Sequence, residues 1–382
     1  MRILFWGTPA YAVPSLDALV QAGHAVVGVV SQPDRRRGRG RGLMPSAVKS
    51  RALELGLPVF TPERIRREPA LQAELADLKP DLSVVVAFGQ ILPPEVLAVP
   101  PLGCWNGHGS LLPRWRGAAP IQWSLIEGDG MTGVGIMAME AGLDTGPVLL
   151  EHCLEIGLLE NASQLGERLS RLTATLLVEA LPLIEAAGAG PEPERWRRLG
   201  VRVQSEEGMT YARQLSREDF QLDWSQGALP LHRRVMGLYP GAHTSWRRRK
   251  LQILTSEPLV RRLADQLSPE GARLAERWGL PAAVGGGCDP AGAQGRPGSS
   301  HGGAVAPAAG AAMGSAPGAV LAIEPGVGLV VATGGCPLLV REARLEGKGT
   351  VAGTAFIQQW GGRVGNRLGD GENTAAVESR QA

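Results

Sequence analysis

Cysteine and long apolar runs are scarce in this sequence. Its 382 residues include four cysteines, which lie far apart and form no C-x-x-C pair. This spacing indicates neither a zinc site nor a disulfide framework, and it suits a reducing compartment. No stretch approaches the roughly 20 apolar residues of a membrane-spanning helix. The apolar N-terminal run breaks at Gly7 and Pro9, too early for a signal peptide, so we expect a cytoplasmic protein that does not enter a membrane.

Two common nucleotide-binding motifs are also missing. The first apolar run continues as "FWGTPAYA" (5–12), which supplies one glycine where a dinucleotide fingerprint needs three. A Walker A loop is absent as well. These absences disfavour nicotinamide and P-loop nucleotide chemistry.

Positive charge is concentrated in two regions of a chain whose net charge is only +2. Residues 31–51 hold seven Lys or Arg against one acid, and five of these arginines fall within "RRRGRGR" (35–41). A second cluster lies between Arg233 and Lys250, where no acid occurs. Local basic regions on a near-neutral protein suggest a polyanionic partner at a defined face. Loops that are merely solvated remain the alternative for each region.

The first half of the chain alternates strand and helix patterns. Valine-rich runs such as "HAVVGVVS" (24–31) and "DLSVVVAF" (81–88) are separated by helical segments, and 163–187 predicts a long helix. Continuous apolar runs indicate strands buried on both faces. We therefore predict an α/β fold with a Rossmann-like, doubly wound, mostly parallel sheet.

The pattern changes in the second half, where short strand-like runs predict a small β-rich domain. Within it, 24 of the 34 residues at 285–318 are Gly, Ala or Pro, a composition that predicts a disordered insertion. We expect a catalytic domain at 1–189, a linker at 190–208, a second domain at 209–365 and a tail at 366–382.

The densest candidate for chemistry is "GCWNGHGSLLPRWRGAAPIQ" (103–122). A short strand is predicted to end at Asn106, and His108 follows between two glycines. Ligands of open α/β sheets bind beyond the carboxyl ends of the strands, which is where both side chains would lie. A structural histidine is the alternative.

Asp144 is a further candidate, in the glycine-bounded loop of "MEAGLDTGPVLL" (139–150). An aspartate that only stabilises its own turn is the plain alternative. The L-D-T-G string also occurs in aspartic proteases, but that chemistry needs two carboxylates, and the chain has no second D-[ST]-G.

An amide, an imidazole and a carboxylate at one sheet edge suit acyl or formyl transfer to an amine. The amide and a protonated imidazole can stabilise a developing oxyanion, and the carboxylate can keep the imidazole protonated. The sequence positions no nucleophilic Ser or Cys, so direct attack by the amine is the simpler scheme.

These stretches closely resemble the folate-dependent formyltransferase family. The resemblance runs from "FWGTP" and "SQPDRRRGRGRGLMPSAVK" through "NGHGSLLPRWRGAAPIQ" and "GLDTG" to "MGLYPGAHTSW" (236–246). It implies a C-terminal OB-like β-barrel domain that binds tRNA. It also implies 10-formyltetrahydrofolate as the formyl donor, no metal, and initiator methionyl-tRNA as the acceptor. Nothing in the sequence demands more than a monomer.

The resemblance also assigns roles to individual residues. Asn106 would position the formyl group, His108 would stabilise or protonate the tetrahedral intermediate, and Asp144 would set the protonation of His108. The positions that match folate contacts are Ser110, Leu111, Leu112, Pro113, Gln90 and Leu92. Gly107 departs from the family, which more often has valine there, and this change is expected to loosen a loop that carries His108.

The basic loop would hold tRNA through Arg37, Arg39 and Arg41. Two alternatives share parts of this interpretation. A formyltransferase that acts on glycinamide ribonucleotide would keep the three catalytic residues, but it would need neither the second domain nor the arginine loop. An RNA-binding protein that has lost catalysis would keep only the basic regions.

Overall fold

The computed structural model describes residues 1–37, 42–279, 314–352, 355 and 361–369. The chain divides into two compact units: Met1–Ser124, Asp129–Ile156 and Ser163–Leu215 form the first, and Leu125–Gly128, Gly157–Ala162 and Ser216–Ala382 form the second. Several predictions fall outside the described residues, namely Arg39, Arg41, positions 285–313 of the predicted insertion and positions 370–382 of the predicted tail.

The strands of the first unit are β1 (Arg2–Gly7), β2 (Ala25–Val30), β3 (Arg35–Arg37), β4 (Gly42–Met44), β5 (Val59–Phe60), β6 (Leu82–Val86), β7 (Cys104–His108), β8 (Arg116–Gly117), β9 (Met131–Ala138), β10 (Val148–Glu155) and β11 (Tyr211–Ala212). Its helices are α1 (Val13–Gln21), α2 (Ala47–Glu54), α3 (Pro69–Asp77), α4 (Pro94–Leu97), α5 (Pro120–Glu127), α6 (Ala162–Ala187) and α7 (Glu192–Leu199).

Seven of the described strands form one sheet in the order β10-β9-β7-β6-β1-β2-β5. The five strands from β7 to β5 are parallel, and β9 and β10 add an antiparallel edge. The mostly parallel sheet predicted from the valine-rich runs is confirmed. The strand order reverses between β1 and β6, because the chain crosses from the β5 edge back to the middle of the sheet. Ligands of doubly wound sheets bind at such a reversal, beyond the carboxyl ends of the strands.

Apolar side chains bury both faces of the central strands. Residues 3–6 of β1 and 82–86 of β6 are all nearly inaccessible to solvent. Residues 192–199 of the predicted linker form α7, and the first unit extends to Leu215. The helix is fixed by a buried arginine, Arg195, which donates to the Pro101 carbonyl oxygen at 3.0 Å.

The second unit contains helices α8 (Ala228–Gly237) and α9 (Pro269–Trp278) and strands β12 (His243–Trp246), β13 (Arg249–Pro258), β14 (Val320–Glu324), β15 (Gly328–Val331), β16 (Leu338–Leu345) and β17 (Thr350–Ala352). These six described strands form an antiparallel sheet in the order β12-β13-β16-β15-β14, with β17 also paired to β16. The β-rich second domain is confirmed, and closure of its sheet into a barrel stays a prediction.

None of the helices that the structure describes is alone long and apolar enough to cross a bilayer. Among them, only the pair α6 and α7, bent by 119°, meets the length and composition criteria jointly.

A buried histidine, His232 on α8, ties elements of the second unit together. Its Nε2 lies 2.8 Å from the Leu158 carbonyl oxygen and its Nδ1 lies 3.0 Å from Ser256 Oγ. Burial lowers the pKa of His232 to about 4, so the ring is neutral in the folded protein at neutral pH. Nε2–H then donates to Leu158, and Nδ1 accepts from the serine hydroxyl.

Stability of the second unit is therefore expected to fall in mild acid. An unfolded histidine has a pKa near 6.5, so between that value and about 4 the unfolded chain takes up a proton that the folded chain excludes. This uptake lowers the free energy of unfolding by about 2 kcal/mol between pH 7.5 and pH 5. The measurement is urea unfolding at both pH values for the native chain and His232→Gln. An equal pH dependence in the two proteins would contradict the assignment.

Candidate active site

Asn106 and His108 lie at the carboxyl end of β7. Asn106 pairs with Val85 of β6 and Met137 of β9, whereas His108 pairs with Gly135 and is 5% exposed. The strand continues through His108 instead of ending at Asn106, so the histidine is held by the sheet ladder.

Gly107 packs closely between these two residues. A Cβ at this position would overlap Thr173 Cγ2 on α6, and the residue is buried within β7. The expectation that Gly107 loosens a loop around His108 is wrong, because the glycine allows close packing of the helix against the strand. Thr173 is itself fixed, since its hydroxyl donates to Leu169 O at 2.8 Å and accepts from Tyr11 at 2.9 Å. Burial raises the pKa of Tyr11 to about 12, so its phenol stays neutral and can donate.

Asp144 joins Asn106 and His108 from the turn between β9 and β10. Asn106 Nδ2 donates to Asp144 Oδ1 at 3.4 Å. The other carboxylate oxygen, Oδ2, lies 3.7 Å from His108 Nδ1 and accepts the Gly117 N–H at 2.8 Å. The structure thus brings together the three residues singled out in the sequence, with Asn106 and His108 both facing the carboxylate of Asp144.

The second ring nitrogen of His108 also faces an acceptor. Nε2 lies 2.9 Å from the carbonyl oxygen of Trp115, a residue whose φ of 63° places it in the left-handed region. The Trp115 side chain is fixed, since its Nε1 donates to Asp129 Oδ2 at 2.7 Å. An imidazole that carries protons on both nitrogens can donate to Trp115 O and face Asp144 at the same time.

The cluster therefore offers charge stabilisation more readily than covalent catalysis. An amide and a doubly protonated imidazole can stabilise negative charge on an oxygen. The neighbouring hydroxyl and thiol are engaged otherwise: Ser110 Oγ donates to Arg114 O at 2.6 Å, and burial raises the pKa of Cys104 to about 12. Asp144 contacts an amide, an imidazole and a backbone N–H, whereas an aspartic protease would need a second carboxylate there.

The remaining predicted ligand contacts lie in two segments. Ser110, Leu111, Leu112 and Pro113 directly follow β7, where Ser110 and Leu112 are buried and Leu112 packs with Met137 and Val148. Gln90 and Leu92 follow β6, the strand paired with β7. Leu92 is buried in the core of the first unit.

Gln90 lies in the wall of a cavity of about 580 Å³. Its amide connects to the facing segment, because Oε1 accepts the Ile65 N–H at 2.9 Å and Nε2 donates to the Pro62 and Glu63 carbonyl oxygens. The cavity is lined by Glu63, Arg64, Arg66, Arg67, Gln90 and Ile91. The cavity is open to solvent, and its three guanidinium groups outnumber the one carboxylate of Glu63, a balance that favours an anionic ligand.

The predicted basic loop begins as a hairpin. Arg37 ends β3 and pairs with Gly42 of β4, whereas Arg39 and Arg41 lie outside the described residues. Within the described part of the chain, no three His, Cys, Asp or Glu residues are arranged to hold a metal ion.

Two contributors to the site were missed in the sequence because they act through backbone groups. The Trp115 carbonyl and the Gly117 N–H meet His108 and Asp144, and no side-chain pattern reveals such roles. The signal available was a glycine at 117, since its φ of 113° suits glycine alone.

The chain matches the model of the formyl transferase family over residues 1–181, and that of the formyl transferase C-terminal domain over 214–286 and 295–360. It is 61% identical over 369 residues to methionyl-tRNA formyltransferase of Synechococcus sp. strain WH7803, covering 97% of this chain and 98% of that protein. The enzyme of the same name from Synechococcus sp. strain RCC307 is 61% identical over 362 residues, covering 94% of this chain and 99% of that protein.

Among solved structures, HypX from Aquifex aeolicus in complex with tetrahydrofolic acid superposes with a TM-score of 0.53 at 15% sequence identity. The match covers 95% of this chain and 48% of HypX. At this identity the likeness shows a shared fold.

The backbone conformation and close packing of Gly117 predict that any side chain at this position destabilises the fold. A Cβ there would lie 2.9 Å from the Ala212 carbonyl oxygen at a φ of 113°. Gly117→Ala is expected to lower the free energy of unfolding by about 1–3 kcal/mol, as measured by chemical denaturation. Gly130→Ala is the control, because nothing lies within 4 Å of its added Cβ. Equal stability of the two variants would contradict the strained position.

Proposed function

The chain belongs to the formyl transferase family, and we propose that Asn106, His108 and Asp144 form its catalytic cluster. Its activity is transfer of a formyl group from 10-formyltetrahydrofolate to the amino group of methionyl-tRNA. The observation that carries the site assignment is the single carboxylate of Asp144 that meets both the Asn106 amide and the His108 imidazole.

The residues present fit a folate. The cavity beside Gln90 presents Arg64, Arg66 and Arg67, which suit the carboxylates of the donor's glutamate, and Ile91 offers apolar surface. We assign Gln90, Leu92 and the segment Ser110–Leu111–Leu112–Pro113 to the folate site. When bound, the folate supplies an activated formyl group.

The residues of the chain act on the oxygen of that group and on the attacking amine. The Asn106 amide and the His108 ring stabilise negative charge as it develops on oxygen. Asp144 faces the His108 ring and accepts the proton that leaves the amine, and this proton balances the one that the folate nitrogen takes up when its bond to the formyl carbon breaks. A free α-amino group has a pKa of roughly 7.7–8.0, so a useful fraction of the acceptor is neutral and attacks without activation by a stronger base.

The acceptor is recognised through positive charge on both units. The hairpin of β3 and β4 carries Arg37, and the chain between them continues through Arg39 and Arg41. In the second unit, Arg247 and Arg248 form an exposed turn between β12 and β13 with φ values of 47° and 63°. We assign both regions to the phosphates of initiator methionyl-tRNA.

A small-molecule acceptor explains neither basic region. The match to the C-terminal domain of the family likewise favours a macromolecular acceptor over glycinamide ribonucleotide. We further propose that the enzyme is cytoplasmic and acts as a monomer.

Asp144→Asn and His108→Ala are each expected to lower kcat about 100-fold or more. The cause is loss of charge stabilisation, whereas tRNA binding should stay within about twofold because neither residue belongs to the basic regions. Steady-state formylation of methionyl-tRNA and a filter-binding assay measure the two quantities. Native kcat in either variant would refute the assigned cluster.

The arginine loop predicts a change in salt dependence. Replacement of Arg37, Arg39 and Arg41 by alanine should lower the slope of log K against log salt concentration by about 2–3, since each lost phosphate contact removes about 0.7–0.9. Binding of methionyl-tRNA at four salt concentrations measures the slope. Arg168→Ala combined with Arg171→Ala on α6 is the control and should leave the slope unchanged. An unchanged slope in the loop variant would exclude contact between these arginines and tRNA.

A further inference from the structure

Asp144 occupies a strained position in the turn between β9 and β10, where the contacts within the turn are the Ala138 N–H to Pro147 O and Thr145 to Glu140 hydrogen bonds. Its φ of 53° lies in the left-handed region, which costs energy for any residue with a side chain. Gly146 follows two residues later, where a Cβ would overlap the carbonyl oxygen of Ala138. A strained, tightly packed turn of this kind persists only where surrounding contacts fix it.

Gln204 supplies such contacts from a position 60 residues along the chain. Its side chain is buried, and Nε2 donates to the Asp144 carbonyl oxygen at 2.9 Å and to the Gly146 carbonyl oxygen at 2.7 Å. Both amide hydrogens are therefore used on the backbone of the turn that carries the catalytic carboxylate.

Arg116 fixes the orientation of that amide. Gln204 Oε1 accepts from Arg116 Nε at 2.9 Å and from Nη2 at 2.7 Å. A flipped amide would bring its NH₂ group against two N–H donors and its oxygen against two carbonyl oxygens, so the observed orientation is the one that pairs every group. The third guanidinium contact, at 3.0 Å, is from Nη1 to Met209 Sδ.

The guanidinium of Arg116 is buried without a carboxylate among its contacts in the described residues. A buried cation held by neutral acceptors is costly. This cost is explained if the two N–H donors that Arg116 directs at Gln204 serve a purpose that no neutral side chain could serve.

The residue after Arg116 acts on the same aspartate. Gly117 N–H donates to Asp144 Oδ2 at 2.8 Å, and both residues belong to the two-residue strand β8, which pairs with β11. One strand thus holds the carboxylate of Asp144 directly and its backbone through Gln204.

We propose that Arg116 and Gln204 are positioning residues, which lock the turn at Asp144 so that its carboxylate meets Asn106 and His108. This proposal rests on the proposed catalytic role of Asp144. Neither residue touches the reacting groups, so their effect must pass through the aspartate.

Gln204→Glu separates positioning from folding. A carboxylate at 204 still accepts both bonds from Arg116 and pairs with its charge, but it has no hydrogens for the carbonyl oxygens of Asp144 and Gly146. We expect kcat to fall about 10–100-fold, as for a small displacement of a catalytic group. The KM values for methionyl-tRNA and for the formyl donor should change by less than about threefold. The new charge pair with Arg116 counters the repulsion between the carboxylate and the two carbonyl oxygens, so the variant should remain folded at the assay temperature, as checked by circular dichroism.

The second unit offers a matched control in Gln252→Glu. Gln252 Oε1 accepts from Arg344 Nε at 2.9 Å, and its Nε2 donates to the Pro240 carbonyl oxygen at 3.1 Å. The same chemical exchange within a similar arginine–glutamine–carbonyl arrangement should leave kcat within about twofold, since no catalytic turn depends on it. A large loss of kcat in this control would mean that the exchange itself is harmful, and it would overturn the interpretation of Gln204→Glu.

A double-mutant cycle with Asp144→Asn tests whether Gln204 affects kcat through Asp144. If Gln204 acts through Asp144, adding Gln204→Glu to Asp144→Asn lowers kcat by less than about twofold further. Multiplication of the two separate effects, or native kcat in Gln204→Glu alone, would overturn the positioning proposal. Native kcat in Asp144→Asn would instead refute the proposed catalytic cluster.

Arg116→Lys tests the same proposal if Gln204→Glu does not fold. Lysine keeps the positive charge but lacks the fork that fixes the amide, so we expect kcat to fall about 3–10-fold and the loss to vanish in the Asp144→Asn background. A loss that persists in that background would overturn the proposal.

Discussion

The hydrogen bond from the Gly117 N–H to Asp144 Oδ2 is the contact on which the geometry of the site depends. It directs one carboxylate oxygen towards His108 and leaves the other for the Asn106 amide. Because a backbone N–H moves only with its strand, the carboxylate cannot shift without disturbing β8. A charge-assisted bond of 2.8 Å is also stronger than a bond between neutral groups. The aspartate is therefore fixed before any substrate binds, which is the condition for electrostatic catalysis without reorganisation.

The register of the sheet explains why the turn that carries Asp144 is strained. β9 runs antiparallel to β7, so its last residue, Ala138, pairs with Trp105 and lies before Asn106 along β7. The chain must then fold back along β7 to bring Asp144 beside His108. The left-handed φ of Asp144 and the crowded position of Gly146 follow from this short return path. Two hydrogen bonds from a buried glutamine offset the cost.

The sequence identified the side chains of the candidate site, but it did not identify the groups that hold them. Asn106 ends a predicted strand, whereas His108 and Asp144 stand in glycine-flanked segments after predicted strands, and strand ends of parallel sheets meet at one edge. The valine-rich runs predicted the sheet for a similar reason, since burial on both faces leaves a continuous apolar pattern. The Trp115 carbonyl and Gly117 N–H carry no side-chain signal, and Gln204 lies in a segment predicted as a linker. Gly107 was misjudged because its role is set by Thr173, which is 66 residues distant in the chain and adjacent only in the fold.

Under the proposed mechanism, a cluster without a nucleophile passes the formyl group straight from donor to amine. This mechanism is tested most directly by intact-mass spectrometry of the enzyme mixed with isotopically labelled 10-formyltetrahydrofolate, first without and then with methionyl-tRNA. Direct transfer predicts an unmodified enzyme mass throughout, with label appearing on methionyl-tRNA alone. A formyl adduct on the enzyme that forms without tRNA and disappears when methionyl-tRNA is added would contradict direct transfer.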